Sequence, residues 1–387
     1  MEHSAKIIIG ANYGDEGKGL VTRHFALQGL REGRRPVTIL HNGTAQRGHT
    51  VDYRPGFRHV YHHFGSGTLD AVPSFFADSF LVHPMSFRVE YRALAQHGPL
   101  PKIFCDPDCV VITPFDMLID HAIEADIARK NGEREYGSCG YGSWSATDRI
   151  AMFPEMRYTV RDFADPERFA ALMEDIWRWV LVRTEQFRVD PDALSPYKKF
   201  FTAHSGARDA LARHFADDMR FFLRHVTLAG FSAIWETFDC PIFENGQGLG
   251  LDMDVPGEWH TTSKTGLANP VRMLSPRDDF SAEVIYVTRS YLTRHGVGPL
   301  EGEVEKKKID PDMHDATNVP NEFQGTLRYG YPEDADQRRR IAADWQRVAH
   351  DPHFEKSLAV THCNEFSEGL APSRYRSDSP YTLRESA

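Results

Sequence analysis

An apolar run, Ile7-Ile8-Ile9, breaks at Gly10 into a glycine-rich turn, Gly14-Asp15-Glu16-Gly17-Lys18-Gly19, and enters a segment with helical spacing at Leu20. A buried strand that ends on a tight loop and passes straight into a helix is the frame of a phosphate cradle in α/β folds. Glycines at 14, 17 and 19 let backbone N–H groups approach phosphate oxygens, the helix offers its positive N-terminal end, and Lys18 adds a point charge. The spacing is not G-x-x-x-x-G-K-[ST]: two residues separate Gly14 from Gly17, and Leu20 replaces the magnesium-binding hydroxyl. Taken alone, the stretch fits a nucleotide site and a tight structural turn equally well.

The next segments extend the frame. Val21, Phe25 and Leu30 recur at roughly helical spacing, and Pro36 to Leu40 reads as a second strand, so a βαβ unit and a parallel sheet follow. The second strand runs into the polar loop from His41 to Val51. In a parallel sheet that loop lies beside the first one, so two polar loops face one crevice. With 387 residues the chain can hold one large α/β domain with insertions, or two domains sharing a core. A net charge of −10 argues against binding to duplex nucleic acid but leaves free nucleotides open. Five scattered cysteines fit reduced thiols, and Cys105-x-x-x-Cys109 has no second pair at zinc spacing. No apolar stretch approaches 18 residues and no cleavable leader is visible, so a cytoplasmic protein is expected.

Further along, Phe57 to Phe64 is strand-like, and its histidines read as structural or substrate-contacting ahead of metal-binding. Cys109 to Thr113 reads as a buried strand, followed by a helix from Phe115 through Ala128. Gly137 to Ser145 is a second glycine-rich loop. Phe169, Leu172, Met173, Ile176 and Val180, then Leu211, Phe215, Met219 and Phe222, mark amphipathic helices of an insertion packed on the sheet. Strands are expected again at Ala233 to Trp235, Pro241 to Glu244, Val284 to Val287 and Leu358 to Thr361. Lys306 to Lys308 is a solvated charge run, and the tail after Ala371 a loosely held extension. The expected fold is α/β: a P-loop-like, mostly parallel central sheet flanked by helices, one domain over 1–387, with a helical insertion at about 160–230, long active-site loops and a tail at about 372–387.

Gly14 to Gly19, Gly48-His49-Thr50, Gly246-Gln247-Gly248, Thr293 to Pro299 and Thr361 to Asn364 occur in the order of motifs in adenylosuccinate synthetase, and the resemblance covers nearly the whole chain. The run from Asp315 to Gly330 and the loop Gly137 to Gly140 look more like the phage branch, whose members make 2-aminoadenylosuccinate from dGMP. The resemblance implies a ligase that transfers a γ-phosphoryl group to O6 of a 6-oxopurine nucleotide and lets the amino group of L-aspartate displace it. Asp15 then resembles the base that takes the N1 proton, helped by a nearby cation and Lys18, and His49 the acid and clamp on the departing phosphate, as a protonated imidazole near neutral pH. Mg2+ would be held by Asp15 and the Gly48 carbonyl. Gly14, Glu16, Gly17, Lys18, Gly19, Gly48, Thr50, Thr361 and Asn364 fall at donor-nucleotide and phosphate positions. Asn42, Gln46, Ser138, Cys139, Gln247 and Thr262 fall at acceptor positions, and Gly325, Thr326 and Arg328 at aspartate positions. The family is typically homodimeric, with Arg149 or Arg157 as the arginine reaching across. Bland alternatives stay open: Asp15 as a helix cap, Arg328 in a surface salt bridge, and Gly246 and Gly248 as backbone geometry alone.

Three departures shape the substrate expectation. His362 and Asn364 replace the Lys and Asp of the housekeeping motif. An Asn amide offers one acceptor atom where guanine needs two, so ATP or dATP is the expected donor in place of GTP. Gln46 and Arg47 replace a smaller, less basic pair. Asp15, in contrast, is the housekeeping residue where many phage enzymes carry Ser. Together these favour dGMP over IMP as acceptor, with the housekeeping reaction of IMP, aspartate and GTP as the alternative. A nucleotide-binding regulator without ligase activity is the remaining reading, against which Asp15, His49 and Arg328 together count.

Overall fold

The isoleucines of the first strand point alternately to the two faces of a sheet. Ile7 and Ile9 join Val37, Ile39, Phe243 and Tyr286 on one side, and Ile8 joins Val21, Phe25, Ile242 and Ile285 on the other. All three are fully buried, which contributes about 1.5–3 kcal/mol each. The computed structural model describes residues 2–131, 140–190, 194–201, 206–256, 259–313, 326–332, 334–366 and 372–386. Its strands are β1 (His3–Gly10), β2 (Pro36–Leu40), β3 (His49–Arg54), β4 (Phe57–Tyr61), β5 (Ser74–Phe76), β6 (Ile103–Cys105), β7 (Thr227–Leu228), β8 (Cys240–Gly248), β9 (Phe280–Arg289), β10 (Leu292–Arg294), β11 (Glu303–Val304), β12 (Arg328–Gly330), β13 (Phe354–Thr361), β14 (Tyr375–Arg376) and β15 (Arg384–Glu385). Its helices are α1 (Lys18–Arg31), α2 (Pro84–Ala95), α3 (Pro114–Asn131), α4 (Ser143–Met152), α5 (Val160–Phe163), α6 (Phe169–Gln186), α7 (Lys198–Phe201), α8 (Gly206–His225), α9 (Phe231–Thr237), α10 (Ala268–Leu274) and α11 (Asp334–Trp345).

Ten strands form one sheet in the order β15-β14-β13-β9-β1-β8-β2-β5-β6-β7. Every neighbouring pair is parallel except β14 and β15. This is the expected mostly parallel sheet flanked by helices. β1 lies in its middle, where Ile7 pairs with Phe243 of β8 on one side and Val284 of β9 on the other. The carboxyl ends of β1, β2, β8, β9 and β13 therefore share one edge, and the loops leaving them gather there. The β3–β4 hairpin and a small antiparallel sheet, β10-β12-β11, stand apart from the main sheet.

Between β6 and β7 the chain leaves the sheet edge and builds α3 to α8 before returning. Leu172, Met173, Ile176 and Val180 of α6 and Phe215, Met219 and Phe222 of α8 are buried, so their stripe is core. Phe222 meets Phe87 of α2 edge to face, with ring centroids 4.9 Å apart.

Three expectations are corrected. Ala233 to Trp235 lies in α9, where Phe231, Ile234, Trp235 and Phe238 follow helical spacing against the sheet; a three-residue apolar run cannot separate helix from strand. Cys109 to Thr113 is buried but is not a strand of the sheet: among the described residues its β-type pairing consists of isolated bridges, Val82 to Val111 and Val110 to Thr159, and its apolar side chains pack into the core. The tail beyond residue 371 is not a loose extension: Tyr375 pairs with Ala359 of β13, and β14 and β15 close that side of the sheet.

Candidate active site

Where β1 ends, Gly10 has no room for a side chain. A Cβ there would lie 2.4 Å from Glu16 Oε2 and 2.8 Å from Lys18 Nζ. The turn needs left-handed backbone at Gly14 (φ 97°), Asp15 (φ 60°) and Gly17 (φ 88°), a conformation that strains the aspartate. Gln247 (φ 68°) at the end of β8 and His362 (φ 58°) after β13 carry the same strain on the same sheet edge.

The loop binds an anion of its own. The N–H groups of Asn12 and Gly14 donate to Glu16 Oε1 (2.9 and 3.1 Å), and Lys18 Nζ donates to Oε2 (2.7 Å). Glu16 and Lys18 are both buried. The expectation that Lys18 stands beside Asp15 is corrected: its partner is Glu16, because that carboxylate fills the inside of the turn. What remains open is the start of α1, capped by Gly17 with no side-chain cap and no acid in its first turn. Asp15 is accordingly not the helix cap. Arg289 Nε donates to the Asp15 carbonyl (2.5 Å), and the Asp15 carboxylate has His295 Nε2 at 3.5 Å.

His49, at the start of β3, is held by a buried carboxylate. Its Nδ1 is 2.6 Å from Glu244 Oε1. Glu244, at 0% exposure in the middle of β8, also accepts from the Ser66 N–H (3.0 Å), the Ser66 hydroxyl and Arg47 Nη2 (3.0 Å). Burial, with Arg47 adding to it and Glu244 opposing, holds His49 down at about 4. Burial pushes Glu244 up, but Arg47, His49 and Ser66 outweigh it and hold the carboxyl at about 2. Glu244 is therefore ionised at neutral pH and accepts Nδ1–H from a neutral imidazole. The expectation of a protonated His49 is corrected for the protein without ligands.

A cleft of about 310 Å³ brings Asp15, Glu16, Gly17, Lys18 and Gly19 together with Gly48, His49 and Thr50, and with Thr361 and Asn364. Thr361 Oγ1 donates to the Glu16 carbonyl (2.8 Å), so this hydroxyl braces the loop. The acceptor residues are placed differently. Asn42 is buried and stitches two loops together, Nδ2 donating to the Gly246 carbonyl (3.0 Å) and Oδ1 accepting from the Gly246 N–H (2.8 Å). Gln46 Oε1 accepts from the Thr44 N–H (2.9 Å). Gln247 and Thr262 are half-buried, and neither lines the cleft. Thr326 is exposed, and Arg328 is engaged: Nε donates to Glu303 Oε1 (2.8 Å), Nη2 to Oε2, and Nη1 to the carbonyls of Gly296 (3.1 Å) and Gly298 (2.7 Å). Ser138, Cys139 and Gly325 lie outside the described residues. Arg149 is fully buried on Asp116 and cannot reach another subunit; Arg157 is exposed, its Nη2 donating to the Asp108 carbonyl (3.1 Å).

The histidines near β4 are structural. Glu90 accepts from the N–H groups of His62 and His63, and His63 Nε2 accepts from the His83 N–H. Among the described residues no group of three or more His, Cys, Asp or Glu could hold a metal ion. The half-exposed Asp15 carboxylate, with the exposed Gly48 in the same cleft, does fit a magnesium ion that keeps water and phosphate as its other ligands. Glu244, Arg289, Tyr291 and the tail residues Ser377, Ser379 and Pro380 were not anticipated from sequence. A carboxylate within a parallel strand just before a glycine motif was the available sign for Glu244.

A parallel sheet that gathers a strained glycine loop, an open helix start, a carboxylate and an imidazole on its carboxyl edge is the frame of an α/β protein with a phosphate-type cradle at that edge. A sequence model of the family described as adenylosuccinate synthetase matches residues 7–328, and the chain belongs to that family of carbon–nitrogen ligases. It is similar to the adenylosuccinate synthetases of Marinomonas sp. (27% identical, 77% of this chain and 64% of the relative) and Methylibium petroleiphilum (26%, 87% and 72%). It thus spans roughly two thirds of the length of these curated relatives. Among solved structures it is similar in fold to fully ligated adenylosuccinate synthetase from Plasmodium falciparum (TM-score 0.68, 16% identical, 95% of this chain and 78% of that one). It is likewise similar to succinoaminodeoxyadenylate synthetase of cyanophage S-2L bound to dGMP and dATP (0.62, 13%, 100% and 96%).

Proposed function

We propose that this chain joins L-aspartate to C6 of a 6-oxopurine nucleotide through a 6-phosphoryl intermediate, with dGMP as acceptor and ATP or dATP as donor. The observation that carries the reading is one cleft holding Asp15, the Glu244-backed His49 and the open start of α1. The Asp15 carboxylate removes the N1 proton, so the purine oxygen attacks the γ-phosphorus and the donor's terminal phosphoanhydride bond breaks. The α1 N–H groups and Lys18 hold phosphate oxygens. The aspartate amino nitrogen then attacks C6, and inorganic phosphate leaves. A phosphate dianion beside His49 favours the imidazolium, which donates from Nε2 while Glu244 stabilises the charge at Nδ1. Asp15 and the Gly48 carbonyl would hold a Mg2+ ion, which would supply charge neutralisation at the phosphates. Arg328 exchanges Glu303 for a substrate carboxylate.

Asn364, exposed on the cleft beside Ser377, Ser379 and Pro380, supports an adenine donor, because its amide cannot accept twice from guanine. The cyanophage likeness, whose structure holds dGMP and dATP, supports the same choice. Asp15 favours a second reading, the housekeeping reaction of IMP, aspartate and GTP. A homodimer with Arg157 at the interface completes the proposal.

The test is phosphate release by purified protein given dGMP, GMP or IMP, each with aspartate and ATP, dATP or GTP. Aspartate-dependent release, fastest with dGMP and an adenine nucleotide, is expected, and Asp15→Ala should abolish it with the melting temperature retained. Release that ignores aspartate defeats the ligase reading, and IMP with GTP as the best pair replaces the substrate assignment. Binding without turnover identifies a regulator.

A further inference from the structure

A guanidinium buried to 1% exposure needs a reason. Arg47 has one: among the described residues its side-chain partner is Glu244, with Nη2 3.0 Å from Oε2; His49 Nδ1 lies as close to Nη2, at 3.0 Å, but directs its own proton to Glu244 and does not accept from the guanidinium. Its Nε and Nη1 are buried with no partner. A buried cation with two unmatched donor groups is a poor way to stabilise a fold, since desolvation is met by a single carboxylate. What the residue does accomplish is local. Glu244 is fully buried, and Arg47 Nη2 with the Ser66 N–H fixes Oε2, which turns Oε1 toward His49 Nδ1 at 2.6 Å.

We infer that Arg47 is a positioning residue that acts through Glu244: by holding Oε2 it keeps Oε1 facing His49 Nδ1, so that the ring donates from Nδ1 and presents Nε2 to the cleft. Arg47 itself does not line the cleft, so its effect on chemistry passes through the carboxylate. This rests on the proposed ligase reaction for its kinetic consequence, but its structural consequence can be read without turnover.

The experiment compares Arg47→Met, Glu244→Gln and the double variant in the full-length protein. Arg47→Met should lower kcat about 10- to 100-fold, the range that an outer partner of a functional histidine supplies, with KM for all three substrates nearly unchanged. Because a lone buried carboxylate can destabilise the single variant, the double variant serves as control. It should melt at a higher temperature than Arg47→Met, yet have kcat no lower than Glu244→Gln alone, as residues acting in series require. The downfield imidazole N–H proton resonance, assigned by its loss in His49→Ala, should move in Arg47→Met. An unshifted resonance, a KM-only effect or multiplying losses in the double variant overturns the inference. Absence of ligase activity in the unaltered protein instead defeats the proposed reaction, and the resonance still decides the role of Arg47.

Discussion

Acidification should unfold this protein well before its carboxylates are neutralised, because four histidines are buried in neutral form. Burial holds His41 down at about 3 and His49 and His83 at about 4, with Arg47 adding to the effect on His41 and His49. Burial also holds His63 well below its ordinary value. Asp120 works in the opposite sense, since burial, against hydrogen bonds from Ser145, raises it to about 7. As pH falls from 6.5 toward 4.5, the unfolded chain takes up a proton on each histidine that the native state refuses, while native Asp120 retains one that the unfolded chain releases. The difference grows from about one proton at pH 6.5, where the unfolded histidines are half protonated, to between two and three below pH 5.5, so stability falls by about 3 kcal/mol per pH unit on average, or about 6 kcal/mol across the window. That matches the whole stability of an ordinary domain, about 5–15 kcal/mol. Above pH 6.5 the histidine contribution is fully present, and it is lost as pH drops toward the native values. Urea unfolding followed by circular dichroism at pH 7.5, 6.5, 5.5 and 4.5 measures the slope. Among the described residues neither ring nitrogen of His41 has a hydrogen-bond partner, and the ring sits edge to face with Phe243, so His41→Phe should reduce the slope by about 1.4 kcal/mol per pH unit. A flat stability between pH 6.5 and 4.5, or a His41→Phe slope equal to the original, would refute the reasoning.

Gly10→Ala should destabilise the fold by about 3 kcal/mol or more, since its Cβ would strike the Gln247 carbonyl at 2.7 Å as well as the Glu16 carboxylate, and a urea midpoint unchanged from the parent would contradict this. Asn364→Asp restores a second acceptor atom and should raise the preference for GTP over ATP about tenfold to a hundredfold, read as the ratio of kcat/KM values for the two donors. Glu303→Gln frees the Arg328 fork, so KM for aspartate should fall about two- to threefold; the pair is partly exposed and its own strength small, and a rise in KM would show that Glu303 shapes the site instead.

The sheet was legible because its strands carry their burial in their letters: Ile7 to Ile9, Pro36 to Leu40 and Val284 to Val287 are apolar runs that a two-sided parallel sheet requires. The tail was not, because Tyr375 and Arg376 pair with β13 through backbone groups that any sequence possesses. In the site, the glycine loop and Gly48-His49 showed themselves by residue type and spacing. Side-chain partnership did not. Nothing in the order of letters tells Glu16 from Asp15 as the partner of Lys18, and Glu244 meets His49 across 195 positions of chain. The charge state of His49 was also misjudged, since it follows from burial beside Arg47 and not from the imidazole alone.

The place of β1 between β8 and β9 also sets the order in which the molecule can assemble. Ile7 has no sheet neighbour until Phe243 and Val284 are available, so on a ribosome this apolar strand waits for most of the chain to emerge. The insertion between β6 and β7 shares its core with α2 and with Phe76 of β5, all synthesised before β8, so this side can condense first, whereas the phosphate loop has no fixed shape until the central strands meet. Chains interrupted before β9 would carry an exposed isoleucine strand and no cleft, which makes the nascent protein a client for chaperones and its fragments prone to aggregate.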